Sequence, residues 1–313
     1  SVNRTWTLNQ DKYSLHGVQY DKNGNLQSLS RMGIDINNNE GIIDNLIYYY
    51  EGNHITRIDD LSGMKAINDF KTNSYFGNTG IRYHYDQNGN LSHDMSLGID
   101  LIYNYQNLIE SVDFNGLGFK NIEYGSNGQK WNSTLNIQGK TSQQLTFIGD
   151  FVYQNGQLKY IKMNGGRIVA DQEPGRFRNE YYFEDHLGNI RLVYSDLNSD
   201  GRISKAEILQ ENHYYPFGLE IYGLKTQQIG SDRSLKFNGK EQYFEGVDTD
   251  KDGILNHYIN VYDFGARLFD PAIGRWWTCD PESKEFKTMS PYNFVLNNPF
   301  RLNDPDGKVP GDS

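Results

Sequence analysis

A tyrosine followed within a few residues by a turn rich in asparagine and glycine recurs along the first half of this 313-residue chain. No other feature of the sequence limits the fold as strongly. The segments begin at Tyr20 (YDKNGNL), Tyr50 (YEGNHI), Tyr85 (YDQNGNL), Tyr105 (YQNLI), Tyr124 (YGSNGQ) and Tyr153 (YQNGQL). Asn-Gly between β-prone residues is a strong hairpin signal, because both residues accept the positive φ of a type I′ turn. Each unit is therefore predicted to be strand, turn, strand.

The residues that flank these turns alternate between apolar and polar, as in residues 45–50 and 158–162. Period-two alternation indicates strands that are covered on one face. Aromatics make up 14% of the residues and there are 32 glycines, a balance that favours pleated surfaces joined by turns. We predict a mostly β protein whose units stack as a β-hairpin array, each contacting its neighbours. An ordinary β-sandwich with Asn-Gly hairpins is the alternative.

Charge and hydropathy argue against two classes of partner. The net charge is −10, whereas affinity for nucleic acid comes from clustered lysine and arginine. The sequence has no run of about 18 apolar residues, so we expect no membrane span. The first ten residues, SVNRTWTLNQ, have no apolar signal-peptide segment, so we expect that export is specified elsewhere or that the chain is a fragment.

Several enzyme classes are disfavoured because their motifs do not occur in the sequence. It contains no phosphate loop, dinucleotide fingerprint, HExxH pair or clustered Cys/His set. The single cysteine, Cys279, permits no internal disulfide. It has no basic neighbour in the sequence that would lower its pKa, so we interpret it as a small buried apolar residue rather than a nucleophile.

Two acidic loops resemble the calcium-loop template, in which oxygens at positions 1, 3, 5, 7 and 12 surround the ion and glycine stands at position 6. The first, DLNSDGRISKAE, predicts five calcium ligands, with Arg202 contributing its backbone carbonyl: Asp196, Asn198, Asp200, Arg202 and Glu207. The second, DTDKDGIL, offers Asp248, Asp250 and Asp252 but has Ile259 at position 12. We expect calcium at the first loop and weaker binding at the second. A solvated acidic turn is the alternative for both.

The segment Tyr262–Gly307, called the C-terminal stretch below, carries YDFGAR, FDPAIGRW, an Asp280-Pro281 step, SPYNFVLNNP and DPDG. Upstream lie DHLGN, NHYYPFGLEI and FNGKE. In these motifs the chain closely resembles the RHS repeat-associated core domain, in the combination frequent in its Bacteroidetes branch, and the tyrosine-rich units resemble YD repeats. The resemblance implies a spiral β-shell closed by a core plug and often followed by a toxin. We accordingly expect a repeat region over 1–175 and the core over 176–313.

The resemblance also implies aspartyl self-cleavage just after the DPxG motif. Asp280 aligns with one catalytic aspartate, and Asp304, Asp306 and Asp270 are the candidates for the second. Two nearby carboxylates can share a proton, so that one accepts a proton from water while the other donates one. An Asp-Pro turn without chemistry is the alternative for each aspartate. Many family members have Leu or Met after DPxG, where this chain has Lys308.

These features together predict a secreted or cell-surface shell module of a polymorphic-toxin system. Its expected partners are a C-terminal toxin or other cargo, the rest of its own shell and secretion machinery. A surface protein that binds glycans and an inert scaffold of a secretion apparatus are the alternatives, because aromatic β-surfaces also suit glycan recognition.

Overall fold

The computed structural model describes residues 12–64, 66, 68–71, 80–171, 175–224, 234–249 and 255–312. Within these residues the chain forms 23 strands and no α-helix, and every strand pairing is antiparallel. Three single 3-10 turns occur in the same residues, at Lys205–Glu207, Phe237–Gly239 and Val295–Asn297. The prediction of a mostly β protein is confirmed.

Two sheets whose strands follow chain order form most of the molecule, and we call them together the wall. The first contains β1 (Leu15–Tyr20), β2 (Leu26–Ile34), β3 (Glu40–Glu51) and β4 (His54–Asp60). The second contains β5 (Tyr83–Tyr85), β6 (Leu91–Asp94), β7 (Ile99–Tyr103), β8 (Ile109–Asp113), β9 (Gly118–Tyr124), β10 (Lys130–Ile137), β11 (Gln143–Ile148), β12 (Phe151–Gln154), β13 (Gln157–Met163), β14 (Gly166–Ala170), β15 (Phe177–Glu184), β16 (Ile190–Tyr194) and β17 (Ile208–Glu211). The Arg82 amide donates to the Thr56 carbonyl (2.7 Å), which joins the two sheets beside β4.

Two smaller sheets lie in the C-terminal part. One contains β18 (Glu241–Val247), β19 (His257–Asp263), β20 (Leu268–Asp270) and β21 (Arg275–Trp276). The other pairs β22 (Leu302–Asn303) with β23 (Gly311–Asp312). The chain between β22 and β23 is the DPDGK loop, so this short pairing ties both ends of that loop together.

Several turns of the wall share one arrangement, in which an aspartate side chain accepts hydrogen bonds from its own turn; we call it the clamp. Asp21 Oδ1 accepts hydrogen bonds from the Asn23 and Asn25 amides (both 2.8 Å), and its Oδ2 accepts one from the Asn25 side chain (2.9 Å). Identical clamps are built on Asp35, Asp86 and Asp185. A carboxylate that satisfies its own turn's amides explains why Asp and Asn recur at these positions.

The predicted type I′ geometry holds for only some of the Asn-Gly turns. Asn155 and Gly156 both have positive φ (50° and 79°), as a two-residue type I′ turn requires. At Gly24, Gly89 and Gly128 the glycine has positive φ but the preceding asparagine does not. Those turns have three-residue loops, in which a left-handed glycine follows a type I turn. The prediction of a type I′ turn there was wrong. At Gly24 and Gly89 the aspartate clamp holds the longer loop, whereas the loop at Gly128 begins at Gly125 and has no such clamp.

The fourth tyrosine unit begins two residues earlier than its sequence suggested. Tyr103 ends β7, and Asn104 begins the turn by accepting hydrogen bonds from the Gln106 and Leu108 amides (2.9 and 3.1 Å). Tyr105 lies within the turn and is 83% exposed. Tyr103, whose hydroxyl is buried, therefore occupies the strand end that had been assigned to Tyr105.

One hydrophobic core joins the wall to the C-terminal stretch. It contains residues of the first sheet, of β5–β10 and of the C-terminal stretch. Phe269 and Phe294 stack with ring centroids 3.9 Å apart, and Trp276 meets both rings edge-on. Burial of large aromatic surface is the main source of stability in such a core. The first sheet and β5–β10 of the wall thus pack against the C-terminal stretch.

A buried ion pair adds a polar tie between these parts. Arg31 Nη1 lies 2.8 Å from Asp44 Oδ2, and neither side chain is exposed. Arg31 Nη2 donates to the carbonyls of Pro271 (3.1 Å) and Ala272 (2.8 Å). The Asp44 carboxylate also accepts the Phe70 amide (2.7 Å). One guanidinium therefore bridges the first sheet and the segment after β20.

Candidate functional site

Arg267, immediately before β20, brings two of the predicted carboxylates together. Its guanidinium is almost fully buried, with Nη1 2.9 Å from Asp280 Oδ2 and Nη2 3.1 Å from Asp304 Oδ2. The Trp276 ring lies 4.1 Å from the guanidinium carbon and fixes its plane. Asp280 and Asp304 thus meet through one cation, and we call the three residues the Arg267 cluster.

The DPDGK loop wraps around this cluster. Arg267 Nε donates to the Gly307 carbonyl (2.5 Å), and Asp304 Oδ1 accepts the amides of Gly307 (2.8 Å) and Lys308 (3.0 Å). Gly307 has φ +79°, and a Cβ there would lie 3.0 Å from the Arg267 amide nitrogen. Both a positive φ and a close approach therefore favour glycine at this position. The Gly307–Lys308 peptide bond is held between Arg267 and Asp304.

Three further contacts position the loop and the first aspartate. Lys240 Nζ donates to the Pro305 carbonyl (2.6 Å). The Asp280 amide donates to the Pro291 carbonyl (2.9 Å), and Asp280 Oδ1 accepts the Glu282 amide (2.7 Å). One oxygen of Asp280 thus belongs to its own turn, while the other contacts Arg267.

Burial governs the charges of the cluster. Burial raises the pKa of Asp280, although Arg267 opposes that rise. Burial also lowers the pKa of Arg267, against the pull of Asp280 and Asp304. A carboxyl group with a raised pKa can take up and release a proton nearer to neutral pH, which suits a general acid or base. The Arg267 contact to the Gly307 carbonyl oxygen is placed to stabilise negative charge on that oxygen.

The other two candidate aspartates lie apart from this arrangement. The Asp306 side chain is 59% exposed and lies 3.7 Å from Lys308 Nζ. Asp270 is buried, accepts the Ala272 amide (2.9 Å) and the Trp277 indole N–H (3.3 Å), and has a pKa raised by burial to about 6. Of the predicted site residues, the structure places only Asp280 and Asp304 against Arg267 and the Gly307–Lys308 bond.

The first acidic loop closes on its own side chains. Asp196 accepts the amides of Asp200 (3.1 Å) and Gly201 (2.9 Å). Glu207 is buried, and its two oxygens accept the amides of Leu197 (2.9 Å) and Ser204 (2.8 Å). These hydrogen bonds lower the pKa of Glu207. The loop is therefore closed by hydrogen bonds from its own amides to the Asp196 and Glu207 carboxylates.

This closed loop fits the calcium template only in part. Asn198 and Asp200 contact each other, with Nδ2 3.0 Å from Oδ2, and the Arg202 amide donates to Asp200 Oδ1 (2.8 Å). Nowhere in the described part of the chain do three or more His, Cys, Asp or Glu side chains gather closely enough to hold a metal ion. To bind calcium, Asp196, Asp200 and Glu207 would have to exchange these hydrogen bonds for the ion, with the amide oxygen of Asn198 and the carbonyl of Arg202 completing the set. In the second loop Asp250 and Asp252 lie outside the described residues, and only Asp248, just after β18, is described.

Two residues at the site were missed by the sequence reasoning. Arg267 ends the YDFGAR motif and Lys240 lies in FNGKE, so both motifs had been recognised but neither basic residue had been assigned a role. A search for a cation able to neutralise paired carboxylates would have suggested them. Only the fold shows that both reach the DPDGK loop.

Comparison with known proteins gives relatives among toxin subunits. No family model matches the chain. It is 29% identical over 132 residues to toxin subunit YenC1 of Yersinia entomophaga, which covers 42% of this chain and 11% of that protein. It is also 29% identical over 140 residues to salivary gland surface protein 1 of Aedes aegypti, covering 43% of this chain and 3% of that protein. The chain thus spans about a tenth or less of these relatives.

Solved structures match over nearly the whole chain. A TcdB2–TccC3–TEV crystal structure superposes with a TM-score of 0.51 at 15% identity, covering 93% of this chain and 18% of that one. A TcdB2–TccC3 crystal structure superposes with a TM-score of 0.51 at 14% identity, covering 94% of this chain and 20% of that one. The chain therefore shares its fold with about a fifth of each of these structures, and its sequence is similar to part of a toxin subunit. No helix in the described residues is long and apolar enough to cross a membrane.

Proposed function

We propose that this chain is the closing part of a secreted, toxin-associated β-shell that encloses a C-terminal cargo. The observation that carries the proposal is the hydrophobic core that the first sheet and β5–β10 share with the C-terminal stretch. Within each of the two wall sheets the strands pair in chain order. Similarity to a toxin subunit and to the TcdB2–TccC3 fold supports it. The partners are then the cargo, the rest of the shell and the machinery that secretes it.

Limited proteolysis of the natural full-length protein tests the shell. We expect a cargo sequence following the core to resist a protease that rapidly digests the same sequence expressed alone. Digestion at equal rates, or a natural protein with no sequence beyond the core, contradicts enclosure. Either result favours a surface-binding protein or a scaffold.

A second function, self-cleavage at the Gly307–Lys308 bond, is favoured by the Arg267 cluster. Asp280 would act as the general base towards water, and Arg267 would stabilise the oxyanion on Gly307. Asp304 accepts hydrogen bonds from the Gly307 and Lys308 amides and so fixes the Gly307–Lys308 bond in place. Cleavage would separate a shell from its cargo without opening the wall.

The intact mass of the denatured chain, with a reporter domain fused after Ser313, tests this step. We expect two polypeptides, one that ends at Gly307 and one that begins at Lys308. Asp280→Asn should abolish cleavage because an amide cannot accept the proton from water, whereas the exposed Asp306→Asn should cleave like the wild type. A single uncut wild-type species, or equal cleavage in Asp280→Asn, leaves the shell without protease activity.

A further inference from the structure

A small polar cavity borders the Arg267 cluster. Its volume is about 10 Å³, and its lining includes Tyr103, Asp263, Arg267 and Thr278. A cavity of this size is at the lower limit for one water molecule, which also needs two to four polar partners. Tyr103 and Thr278 in the lining each carry a hydroxyl that can serve as such a partner.

Two of the lining hydroxyls are buried without a protein partner. Tyr103 Oη and Thr278 Oγ1 are closed to bulk solvent, and neither has a hydrogen-bond partner in the described part of the chain. Thr278 is only 3% exposed as a residue. Burial raises the pKa of Tyr103 well above its usual range, so its hydroxyl stays protonated and can both donate and accept. Unpaired buried hydroxyls are costly, and a bridging water removes that cost.

The same cavity is lined by a residue that contacts the candidate scissile bond. Arg267 is one of its lining residues and also contacts Asp280 and the Gly307 carbonyl oxygen, and Thr278 precedes Asp280 by two positions. Gly307 itself is buried, so bulk water has little access to its carbonyl carbon. Hydrolysis of a buried bond needs a water molecule that is already inside.

We propose that this cavity binds one ordered water through Tyr103 and Thr278, and that self-cleavage consumes this water. The inference rests on the self-cleavage proposed above. The water oxygen bonds to the Gly307 carbonyl carbon while Asp280 accepts a water proton. The bond to the Lys308 nitrogen then breaks, and that nitrogen takes the proton from Asp280. The products are a Gly307 carboxyl group and a Lys308 amine, and Asp280 returns to its ionised form.

A crystal structure of the uncut Asp280→Asn protein tests the binding site directly. We expect density for one water within hydrogen-bond distance of both Tyr103 Oη and Thr278 Oγ1. A dry cavity overturns the inference whatever the activity of the wild type, so the water site is judged apart from self-cleavage.

Cleavage rates of the reporter fusion test the role of this water. We expect Thr278→Val and Tyr103→Phe to cleave about fivefold or more slowly, the rate equivalent of one lost hydrogen bond, and Thr278→Ser to restore the rate. Thr146→Val, on β11, removes a hydroxyl of the same type away from the cavity and should cleave like the wild type. Melting temperatures show whether each variant is folded.

Equal rates in folded Thr278→Val, Tyr103→Phe and the wild type would overturn the role of the water while leaving self-cleavage intact. If the wild type does not cleave, both the proposed self-cleavage and the proposed role of this water are wrong.

Discussion

Among single residues, buried arginines hold together parts of the chain that are far apart in sequence. Arg267 contacts two carboxylates and two carbonyls of the C-terminal stretch, and Arg31 joins the first sheet to the segment after β20. The planar guanidinium has five donors and is suited to such multiple contacts. Removing the cation leaves a buried carboxylate without its counter-charge, which is more costly than losing an exposed pair.

We expect Arg31→Met to lower the free energy of unfolding by about 3–5 kcal/mol, because Asp44 remains buried without its cation. Urea denaturation followed by tryptophan fluorescence measures the change. Lys12→Met, which removes the cation of the partly exposed Lys12–Glu40 pair, is the control and should change the midpoint little. Equal midpoints for the two variants would contradict a structural role for the buried pair.

At the scale of elements, the turns of the wall differ in what surrounds them. Gly89, between β5 and β6, has φ +80°, and a Cβ there would lie 2.7 Å from Tyr292 Oη and 2.9 Å from Cys279 Sγ. Gly116, between β8 and β9, has φ +73° and no atom within 4 Å of that position. The first turn therefore docks onto the C-terminal stretch, whereas the second turn faces open space.

This matched pair of glycines gives a prediction. Alanine at either position adopts a left-handed conformation at a cost of about 1–2 kcal/mol, but only Gly89→Ala also displaces Tyr292. We expect Gly89→Ala to lower the melting temperature clearly more than Gly116→Ala does. Similar losses would show that the β5–β6 turn does not pack against Tyr292 in solution.

The calcium loop gives a second prediction at this scale. If Asp196, Asn198, Asp200 and Glu207 bind calcium only in the folded protein, an ion at 100 times its dissociation constant adds about 2.7 kcal/mol of stability. Chelation should then lower the melting temperature of the wild type but not that of Glu207→Gln. Identical melting with and without calcium would leave the loop a turn closed by its own hydrogen bonds.

The sequence allowed the element types and part of the site to be predicted, and the reasons are physical. Asn-Gly turns and alternating strands act locally, so the β class was predictable, although the exact turn type depended on the Asp21 clamp. Asp280 and Asp304 were identified because their motifs resemble a known core. Arg267 and Lys240 were missed because their roles depend on which segments meet in the fold.

Across the whole molecule, buried carboxylates link stability to pH. Burial raises the pKa of Asp94 to about 7 and those of Asp69 and Asp270 to about 6, and it also raises that of Asp44. The folded protein thus binds protons that the unfolded chain, with carboxyl pKa values near 4, has already released. For Asp94, Asp69 and Asp270 the stabilising contribution is complete below about pH 4 and is lost as the pH rises through 6 to 7. His54, whose pKa is lowered by burial, has the opposite slope, but it is one group against the three carboxyl groups Asp94, Asp69 and Asp270.

We therefore expect the urea midpoint to fall between pH 5 and pH 8, since each titrating group contributes up to about 1.4 kcal/mol per pH unit. Asp94→Asn should flatten this dependence, because the amide oxygen can still accept the Ser96 and Leu97 amides but carries no titrating proton. A urea midpoint that rises with pH over this range would contradict the raised pKa values of these carboxyl groups.

Arg31 contacts a segment far along the chain, which affects folding during synthesis. Every wall strand pairs with its neighbour in the chain, so hairpins can form in turn while the polypeptide leaves the ribosome. The carbonyl of Pro271 that Arg31 needs lies 240 residues further on. At about 5–20 residues per second, that carbonyl is synthesised about 10–50 s after the arginine. During this interval the nascent wall exposes an apolar face and a cation without its final partners, which makes it a natural client for a chaperone.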